Sequence, residues 1–170
     1  MPTTISHWMN NSVFAGTSAA TAPVTNPATG AVTGEVVLGS VEDARAVIDA
    51  AAAAFPAWRD TSLAKRSAAL FAFRELLNAR KGELARIMTS EHGKVVSDAL
   101  GEVSRGQEVV EFACGIPHLL KGGFTENAST KVDAYSIRQP LGPVGIIGPF
   151  NFPAMVPMWS SRSPSPRATQ

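Results

Sequence analysis

The sequence predicts an α/β protein, and three observations along its 170 residues support that fold class. Short extended runs separated by turn residues occupy the first forty positions. Three stretches in which apolar residues recur at helical spacing follow, and extended runs return after residue 123. This order of strands, helices and strands is typical of α/β and α+β proteins, in which helices cover a sheet.

Composition excludes several classes of protein. The chain is 45% hydrophobic and 17% charged with a net charge of +1, which provides no basic surface for nucleic acid or anionic membranes. No apolar run reaches the roughly 20 residues that span a bilayer, and the first eleven residues lack the basic and apolar regions of a secretory signal. A single cysteine, Cys114, suits a reducing compartment. We therefore expect a cytoplasmic protein with no nucleic-acid or membrane partner.

The N-terminal elements are predicted to be a hairpin and a capped helix. The run TNPATG separates two extended stretches, and the second of them ends in a strand at residues 35–38. Ser40 is a candidate N-cap, and Asp43 three positions later completes a capping box with Asp in place of Glu. The first helix follows. Pro56 is expected to end it, because proline lacks the backbone N–H that a helix needs.

Two further helices are predicted at residues 62–91 and 97–114. Gly93 is expected to end the helix at residues 62–91, and Pro117 is expected to end the helix at residues 97–114. Cys114 lies on the apolar face of the helix at residues 97–114, which favours a core residue over a nucleophile. The helix at residues 62–91 carries an apolar stripe with leucines seven residues apart: Leu63, Leu70, Leu77 and Leu84, with Phe73 and Ile87 on the same stripe.

The remaining residues predict strands and then a tail. From residue 124 the side chains alternate, and the run LGPVGIIGPFNFP predicts an apolar strand followed by a turn. The last eleven residues, SSRSPSPRATQ, are polar and predict a disordered tail.

Asn151 is the first candidate for a functional residue. It lies between Pro149 and Pro153 in the run PFNFP, and the two prolines bias their predecessors toward extended geometry and stiffen the backbone. A carboxamide in that position offers two N–H donors in a fixed direction, as stabilisation of an oxyanion requires. On these residues alone, a simple turn asparagine is the stronger interpretation.

The run QPLGPVGIIGPFNFPAMVPMW resembles the strand and loop of the aldehyde dehydrogenase superfamily that ends in an asparagine-phenylalanine-proline signature. The upstream runs NPATGAVTGEVVLGSVEDARAVIDAA, AFPAWRDTSLAKR and EHGKVVSDALGEVSRGQEVVEFACGIPHLLKG resemble that family as well. The last of these runs, with PFNFPAMVPMW, most resembles the CoA-acylating methylmalonate-semialdehyde and malonate-semialdehyde dehydrogenases. The resemblance covers nearly all of residues 5–159.

This resemblance implies the N-terminal part of the aldehyde dehydrogenase fold, in which helices flank an incomplete Rossmann-like sheet and a β-arm extends away. Residues 1–123 would belong to an NAD-binding domain and 124–143 to the arm that pairs strands between subunits in the family's tetramers. Residues 144–159 would begin the cofactor and active-site strand and loop, and 160–170 form a non-homologous tail.

The resemblance also implies roles for individual residues. Asn151 matches the asparagine whose amide stabilises the oxyanion of the thiohemiacetal, and Phe152 matches a residue that lines the aldehyde tunnel. The run GPVGIIGPF departs from the branch's usual pattern, and a glycine at 148 lacks a hydroxyl that could bond the cofactor. Four consecutive residues match positions along the nicotinamide of NAD: Ile147, Gly148, Pro149 and Phe150.

Arg105 is the second candidate, and two interpretations of it stay open. It lies three residues from both Glu102 and Glu108, a spacing typical of a solvated ion-pair face. A semialdehyde that carries a carboxylate also needs a fixed cation, and guanidinium binds carboxylate bidentately. The resembling branch keeps an arginine-glycine pair at the matching place, on a helix beside the substrate tunnel.

The activity implied by the resemblance is NAD-dependent oxidative acylation of methylmalonate or malonate semialdehyde to propionyl- or acetyl-CoA, in valine and inositol catabolism. A cysteine thiolate attacks the aldehyde, hydride passes to NAD, and coenzyme A receives the acyl group. In the family, the nucleophilic cysteine and the catalytic glutamate come after the position that matches Trp159. The tail contains neither, so we expect no dehydrogenase activity from this chain alone.

Codons for the tail can be chosen so that one thymine restored after the Trp159 codon gives an apolar, family-like continuation, and our hypothesis is therefore a frameshifted gene or a sequencing error. The expressed chain is then expected to be unstable or insoluble, because its helices lack the sheet that they cover. A non-catalytic fragment or pseudogene product that pairs with full-length subunits is the alternative function. A stand-alone nucleotide-binding module is disfavoured, because the sequence has no phosphate-cradling loop.

Overall fold

The computed structural model describes residues 3–160, so all of the predicted tail except Ser160 lies outside the described residues. Within these residues, strands come first, helices follow, and a hairpin and a short helix come last, which confirms the predicted α/β class. The strands are β1 (Thr3–Ile5), β2 (His7–Met9), β3 (Ser12–Phe14), β4 (Thr21–Thr25), β5 (Val32–Val37), β6 (Phe124–Ser129) and β7 (Val132–Tyr135). The helices are α1 (Val41–Arg59), α2 (Leu63–His92), α3 (Val96–Cys114), α4 (Ile116–Leu119) and α5 (Met155–Trp159).

The strands form small sheets. β5 pairs with β1 in parallel and with β4 in antiparallel register, while β2–β3 and β6–β7 form separate hairpins. The turn predicted between β4 and β5 closes where the Asn26 amide donates to the Ala31 carbonyl and Gly30 adopts a φ of 72°. The strand predicted at residues 35–38 starts earlier, at Val32, because its hydrogen bonds to β4 begin there.

The predicted capping box at the start of α1 is confirmed. The Asp43 amide donates to Ser40 Oγ at 3.0 Å, and the Asp43 carboxylate accepts from the Ser40 amide at 2.8 Å. The same carboxylate accepts from the Thr17 amide at 2.8 Å, which ties the N-terminal segment to the helix. The prediction that Pro56 ends α1 is wrong. Pro56 lies in the last turn, where its missing N–H removes a single hydrogen bond and the helix continues to Arg59.

We expect the contribution of Asp43 to folding stability to disappear in acid. The Ser40 amide is the main reason why the pKa of Asp43 is lowered from 3.8 to about 2. Since this pKa is lower in the folded than in the unfolded chain, the stabilisation is complete above about pH 4 and is lost as the pH falls through about 2. Asp43→Asn should therefore lower the unfolding midpoint near neutral pH but much less near pH 2. Thermal unfolding followed by circular dichroism tests this, and a pH-independent difference would contradict it.

Helices α2 and α3 form the main core. Leu77, Ala85 and Met88 on α2 pack against Ala99, Val103 and Val110 on α3. The short helix α5 covers α3 at Gly106, where an added Cβ would collide with the Met158 sulfur. This glycine lets α5 approach the α3 backbone closely, and the loop before α5 is thereby held against α3.

The ends of these helices agree only partly with the sequence predictions. Gly93 terminates α2 with a left-handed φ of 85°, as predicted. Cys114 is a core residue, as predicted, and burial raises the pKa of its thiol. The prediction that Pro117 ends α3 is wrong, because α3 ends at Cys114 before Gly115 and Pro117 lies in the first turn of α4, where proline is tolerated. In the leucine stripe, Leu77 is buried while Phe73 and Ile87 are exposed.

The predicted apolar strand in the run LGPVGIIGPFNFP is wrong for this chain. Residues 136–154 contain neither helix nor strand. A strand needs a neighbour to pair its backbone groups, and no strand among the described residues lies beside this segment. Most of its side chains are consequently exposed, with Leu141 at 97% and Ile147 at 100%.

We expect these exposed side chains to make the chain self-associate at micromolar concentrations. The double variant Leu141→Ser and Ile147→Ser should bind less of a hydrophobic dye and elute later from a size-exclusion column than the unchanged chain. The control variant Ala68→Ser and Ala72→Ser, at exposed positions of α2, should behave like the unchanged chain. Elution of the unchanged chain as a monodisperse species that melts cooperatively would contradict this expectation.

Among the described residues, no helix has both the length and the apolar character needed to cross a membrane.

Candidate active site

The loop that carries Asn151 lies between the unpaired segment and α5. The Val156 amide donates to the Phe152 carbonyl at 3.3 Å and the Met158 amide to the Ala154 carbonyl at 3.2 Å, so the turn continues directly into the helix. Asn151 is exposed, and its backbone carbonyl accepts a hydrogen bond from Lys94 Nζ. The carboxamide is therefore available to a ligand, while the backbone beneath it is held.

A buried carboxylate on α3 holds the end of this loop. Glu102 is 5% exposed, and its Oε1 accepts from the backbone amides of Ala154 at 2.9 Å and Met155 at 3.1 Å. Its Oε2 accepts from Lys94 Nζ at 2.5 Å. Burial by itself raises the pKa of Glu102, but the hydrogen bonds from Lys94, Met155 and Ala154 together lower it below its ordinary value. Glu102 is thus a charged and fully partnered group.

Lys94 connects the carboxylate with the start of the loop. Besides its bond to Glu102, Nζ donates to the Asn151 carbonyl at 2.8 Å and lies 4.3 Å from the centre of the Phe152 ring. Lys94 directly follows the left-handed Gly93 that ends α2. The three contacts bring α2, α3 and the loop together at a single ammonium group.

Sequence reasoning missed both of these residues. Helical spacing predicts that Glu102 shares a solvated face with Arg105, and this is wrong for Glu102, because the face of α3 that holds it is covered by the loop and α5. A signal was present: Glu102 is next to Val103 and one turn before Gly106 on the apolar side of α3. The partners of Glu102, however, come some fifty residues later in the chain, at Ala154 and Met155.

Arg105 lies one turn after Glu102 and pairs with Glu108. The distance from Arg105 Nη1 to Glu108 Oε2 is 3.0 Å, and both side chains are mostly exposed. Exposed pairs of this kind stabilise a fold by only about 0–1 kcal/mol, so the guanidinium can exchange Glu108 for another carboxylate at little cost. The predicted solvated pair therefore exists on the Glu108 side, and the substrate-binding interpretation stays a prediction.

The residues predicted to contact NAD lie in the exposed segment before Asn151. Ile147 is fully exposed, and the position of an added Cβ on Gly148 is 3.7 Å from the Pro157 ring. Phe150 packs against His92 with ring centres 5.3 Å apart. Phe152, predicted to line an aldehyde tunnel, is 40% exposed under the Lys94 ammonium. The structure thus collects these residues around the Asn151 loop, while Arg105 lies on the supporting helix.

No cysteine that could act as a nucleophile lies beside this loop in the part of the chain that the structure describes. The sequence has one cysteine, Cys114, and it is buried in the core with a raised thiol pKa. In residues 3–160, no group of three His, Cys, Asp or Glu side chains is placed to hold a metal ion. The exposed Asn151 carboxamide has N–H groups that can donate hydrogen bonds, and a thiolate for the covalent step that the resemblance implies is not found beside it among residues 3–160.

Comparison with known proteins identifies the family. Residues 14–163 match the aldehyde dehydrogenase family. The malonate-semialdehyde dehydrogenase of Pseudomonas aeruginosa is 44% identical over 156 residues, which are 92% of this chain and 31% of that protein. The acylating, mitochondrial methylmalonate-semialdehyde dehydrogenase of Arabidopsis thaliana is 42% identical over 159 residues, which are 94% of this chain and 26% of that protein.

Solved structures agree with this result. The methylmalonate-semialdehyde dehydrogenase from Oceanimonas doudoroffii aligns with a TM-score of 0.89 and 44% identity, over 92% of this chain and 32% of that one. A Sinorhizobium meliloti structure that is complexed with NAD aligns with a TM-score of 0.90 and 46% identity, over 94% of this chain and 32% of that one. The chain spans between about a quarter and a third of the length of these relatives.

Proposed function

Because this chain belongs to the aldehyde dehydrogenase family, we propose that it supplies the oxyanion-binding part of a CoA-acylating semialdehyde dehydrogenase. The substrates would be malonate and methylmalonate semialdehyde, in keeping with the names of its relatives. The observation that carries the proposal is the loop at Asn151, whose backbone is tied to Lys94 while its carboxamide stays free. A donor on a held backbone can stabilise developing negative charge with little reorganisation of the loop.

The chain's own residues would act on the aldehyde as follows. When a thiolate adds to the carbonyl carbon, the π electrons move to the oxygen, and the Asn151 amide donates to that oxyanion. The oxyanion then would re-form the carbonyl as hydride leaves the carbon, and the product is a thioester that still carries the substrate carboxylate. Where acetyl- or propionyl-CoA is formed, this carboxylate would leave as carbon dioxide. Arg105 would hold the far carboxylate of the semialdehyde and thereby contribute to substrate binding.

The segment before Asn151 fits a nicotinamide ring better than a phosphate. NAD, when bound, accepts the hydride. Residues 147–150 are exposed and carry no charged side chain, so they offer flat apolar contacts. A pyrophosphate instead needs backbone amides at a helix start or basic side chains. We infer that Ile147, Gly148, Pro149 and Phe150 would contact the nicotinamide end of the cofactor, and that coenzyme A is the acyl acceptor.

A chimaera tests this proposal. Residues 1–159 of this chain are joined to the part of the Pseudomonas aeruginosa malonate-semialdehyde dehydrogenase that follows the aligned region, and that complete enzyme is the control. NADH formation from malonate semialdehyde that depends on coenzyme A is the expected result. A folded chimaera that oxidises aldehydes without needing coenzyme A, or that is inactive beside an active control, would contradict the proposal.

The exposed β6–β7 hairpin favours a second candidate function. All ten residues of its two strands are exposed, so the strand edges are open to pairing with another chain. The chain would then be a non-catalytic partner that binds full-length subunits in a family tetramer. Co-expression with a tagged full-length relative tests this. Retention of the untagged chain on the affinity column supports the partner role, and loss of the chain in the wash contradicts it.

A further inference from the structure

We propose that Lys94 and Glu102 form a clamp that positions Asn151, and that this clamp contributes to turnover through Asn151. The inference rests on the proposed oxyanion role of Asn151. Neither residue of the clamp would touch the reacting atoms, so both are positioning residues. Their contacts reach the loop at the backbone of Asn151 and at the residues that follow it.

The first half of the clamp is the Glu102 carboxylate. Its Oε1 accepts from the amides of Ala154 and Met155, the residues at the start of α5, whose N–H groups have no partner within their own helix. The Glu102 side chain is 2% exposed, so water competes little for these bonds. Glu102 therefore fixes the position at which the loop enters α5.

The second half of the clamp is the Lys94 ammonium. Its side chain is 17% exposed, and Nζ donates both to Glu102 Oε2 and to the Asn151 carbonyl. The ammonium also lies over the Phe152 ring at 4.3 Å. Lys94 thus fixes the peptide group that joins Asn151 to Phe152, and with it the backbone from which the Asn151 side chain projects.

The anchors of the clamp are themselves rigid. Lys94 follows Gly93, whose φ of 85° suits glycine and whose added Cβ would lie 2.9 Å from Pro27 Cγ. Glu102 lies one turn before Gly106, the site at which α5 packs closely on α3. Because both side chains of the clamp project from fixed backbone, they can hold the Asn151 loop in place. This matters for turnover, since a displacement of about 1 Å at a reacting group can lower a rate by about 10²-fold.

Hydrogen exchange on the 170-residue chain tests the clamp without relying on catalysis. Glu102→Ala should speed exchange at Ala154 and Met155 by about tenfold or more, because their amides lose a buried acceptor. Glu102→Gln, which keeps one acceptor, should have a smaller effect. Arg105→Ala, on the same helix but exposed, should leave both amides unchanged. Equal exchange in the unchanged chain and in Glu102→Ala would overturn the clamp.

A double-mutant cycle in the chimaera tests the link to Asn151 and decides the question even where the short chain aggregates. Lys94→Met should lower kcat by about 10–100-fold with little change in KM, and Lys94→Arg should recover most of the loss. In an Asn151→Ala background, Lys94→Met should lower kcat no further, because the positioned group is already absent. Additive losses would mean a purely structural role and would overturn the proposal.

The same cycle separates the two proposals. If Asn151→Ala lowers kcat and Lys94→Met does not, the clamp fails and the proposed function stands. If Asn151→Ala leaves kcat unchanged, the oxyanion role fails, and with it the contribution of the clamp to turnover, whatever the exchange measurement shows about the loop.

Discussion

Asn151→Ala is expected to lower kcat of the chimaera by about 10²–10³-fold, the loss typical of removing one oxyanion donor. The amide would act only when charge develops on the carbonyl oxygen, so kcat and kcat/KM should fall by the same factor. Steady-state NADH formation at varied malonate semialdehyde measures both quantities. The backbone contact of Asn151 with Lys94 survives the substitution, so the loop should keep its position.

Asn78→Ala provides the matched control for that experiment. Asn78 is an exposed asparagine on α2, and its loss should leave kcat unchanged. Circular dichroism of both variants shows whether the fold is retained. A loss smaller than threefold for Asn151→Ala in a folded chimaera would remove Asn151 from the oxyanion role.

Arg105→Gln is expected to raise KM for malonate semialdehyde by about 10–100-fold and to leave kcat nearly unchanged. A hydrogen-bonded charge contributes about 1.5–3 kcal/mol, and each 1.4 kcal/mol is about tenfold in affinity. The guanidinium would grip the substrate carboxylate in the ground state and the transition state alike, so binding suffers while turnover does not. A neutral aldehyde of similar size should show the same KM with and without the substitution.

Glu108→Gln distinguishes the two interpretations of Arg105. It removes the surface partner seen at 3.0 Å and leaves the guanidinium free. If Arg105 binds substrate, this change should leave KM the same or lower it. If Arg105 serves only the helix surface, Arg105→Gln should leave KM for the charged and the neutral aldehyde unchanged, and the substrate-binding role would then be wrong.

Local chemistry predicted the elements that depend on neighbouring residues. The capping box at Ser40 and Asp43 and the glycine stop at Gly93 involve partners within four residues, and both are confirmed. The two prolines predicted to end helices do not do so, because Pro56 lies in the last turn of α1 and Pro117 in the first turn of α4. The resemblance of its sequence motifs predicted that the chain belongs to the aldehyde dehydrogenase family, and the comparisons confirm this.

Features that depend on distant residues were not predictable in this way. The role of Glu102 requires amides some fifty residues later, and helical spacing instead suggested a surface pair with Arg105. The segment with Ile147 was predicted as a strand, but a strand forms only beside a partner, and none is present among the described residues. The roles of Asn151, Phe152, Arg105 and residues 147–150 stay predictions.

The most direct test of the oxyanion role is the single-turnover rate of hydride transfer in the chimaera, with enzyme in excess over malonate semialdehyde. This rate isolates the chemical step from product release. With asparagine at 151, NADH should form in a rapid phase, and with alanine the same amplitude should appear about 10²–10³-fold more slowly. Equal rapid phases in the two proteins would show that the Asn151 amide contributes nothing to the chemistry.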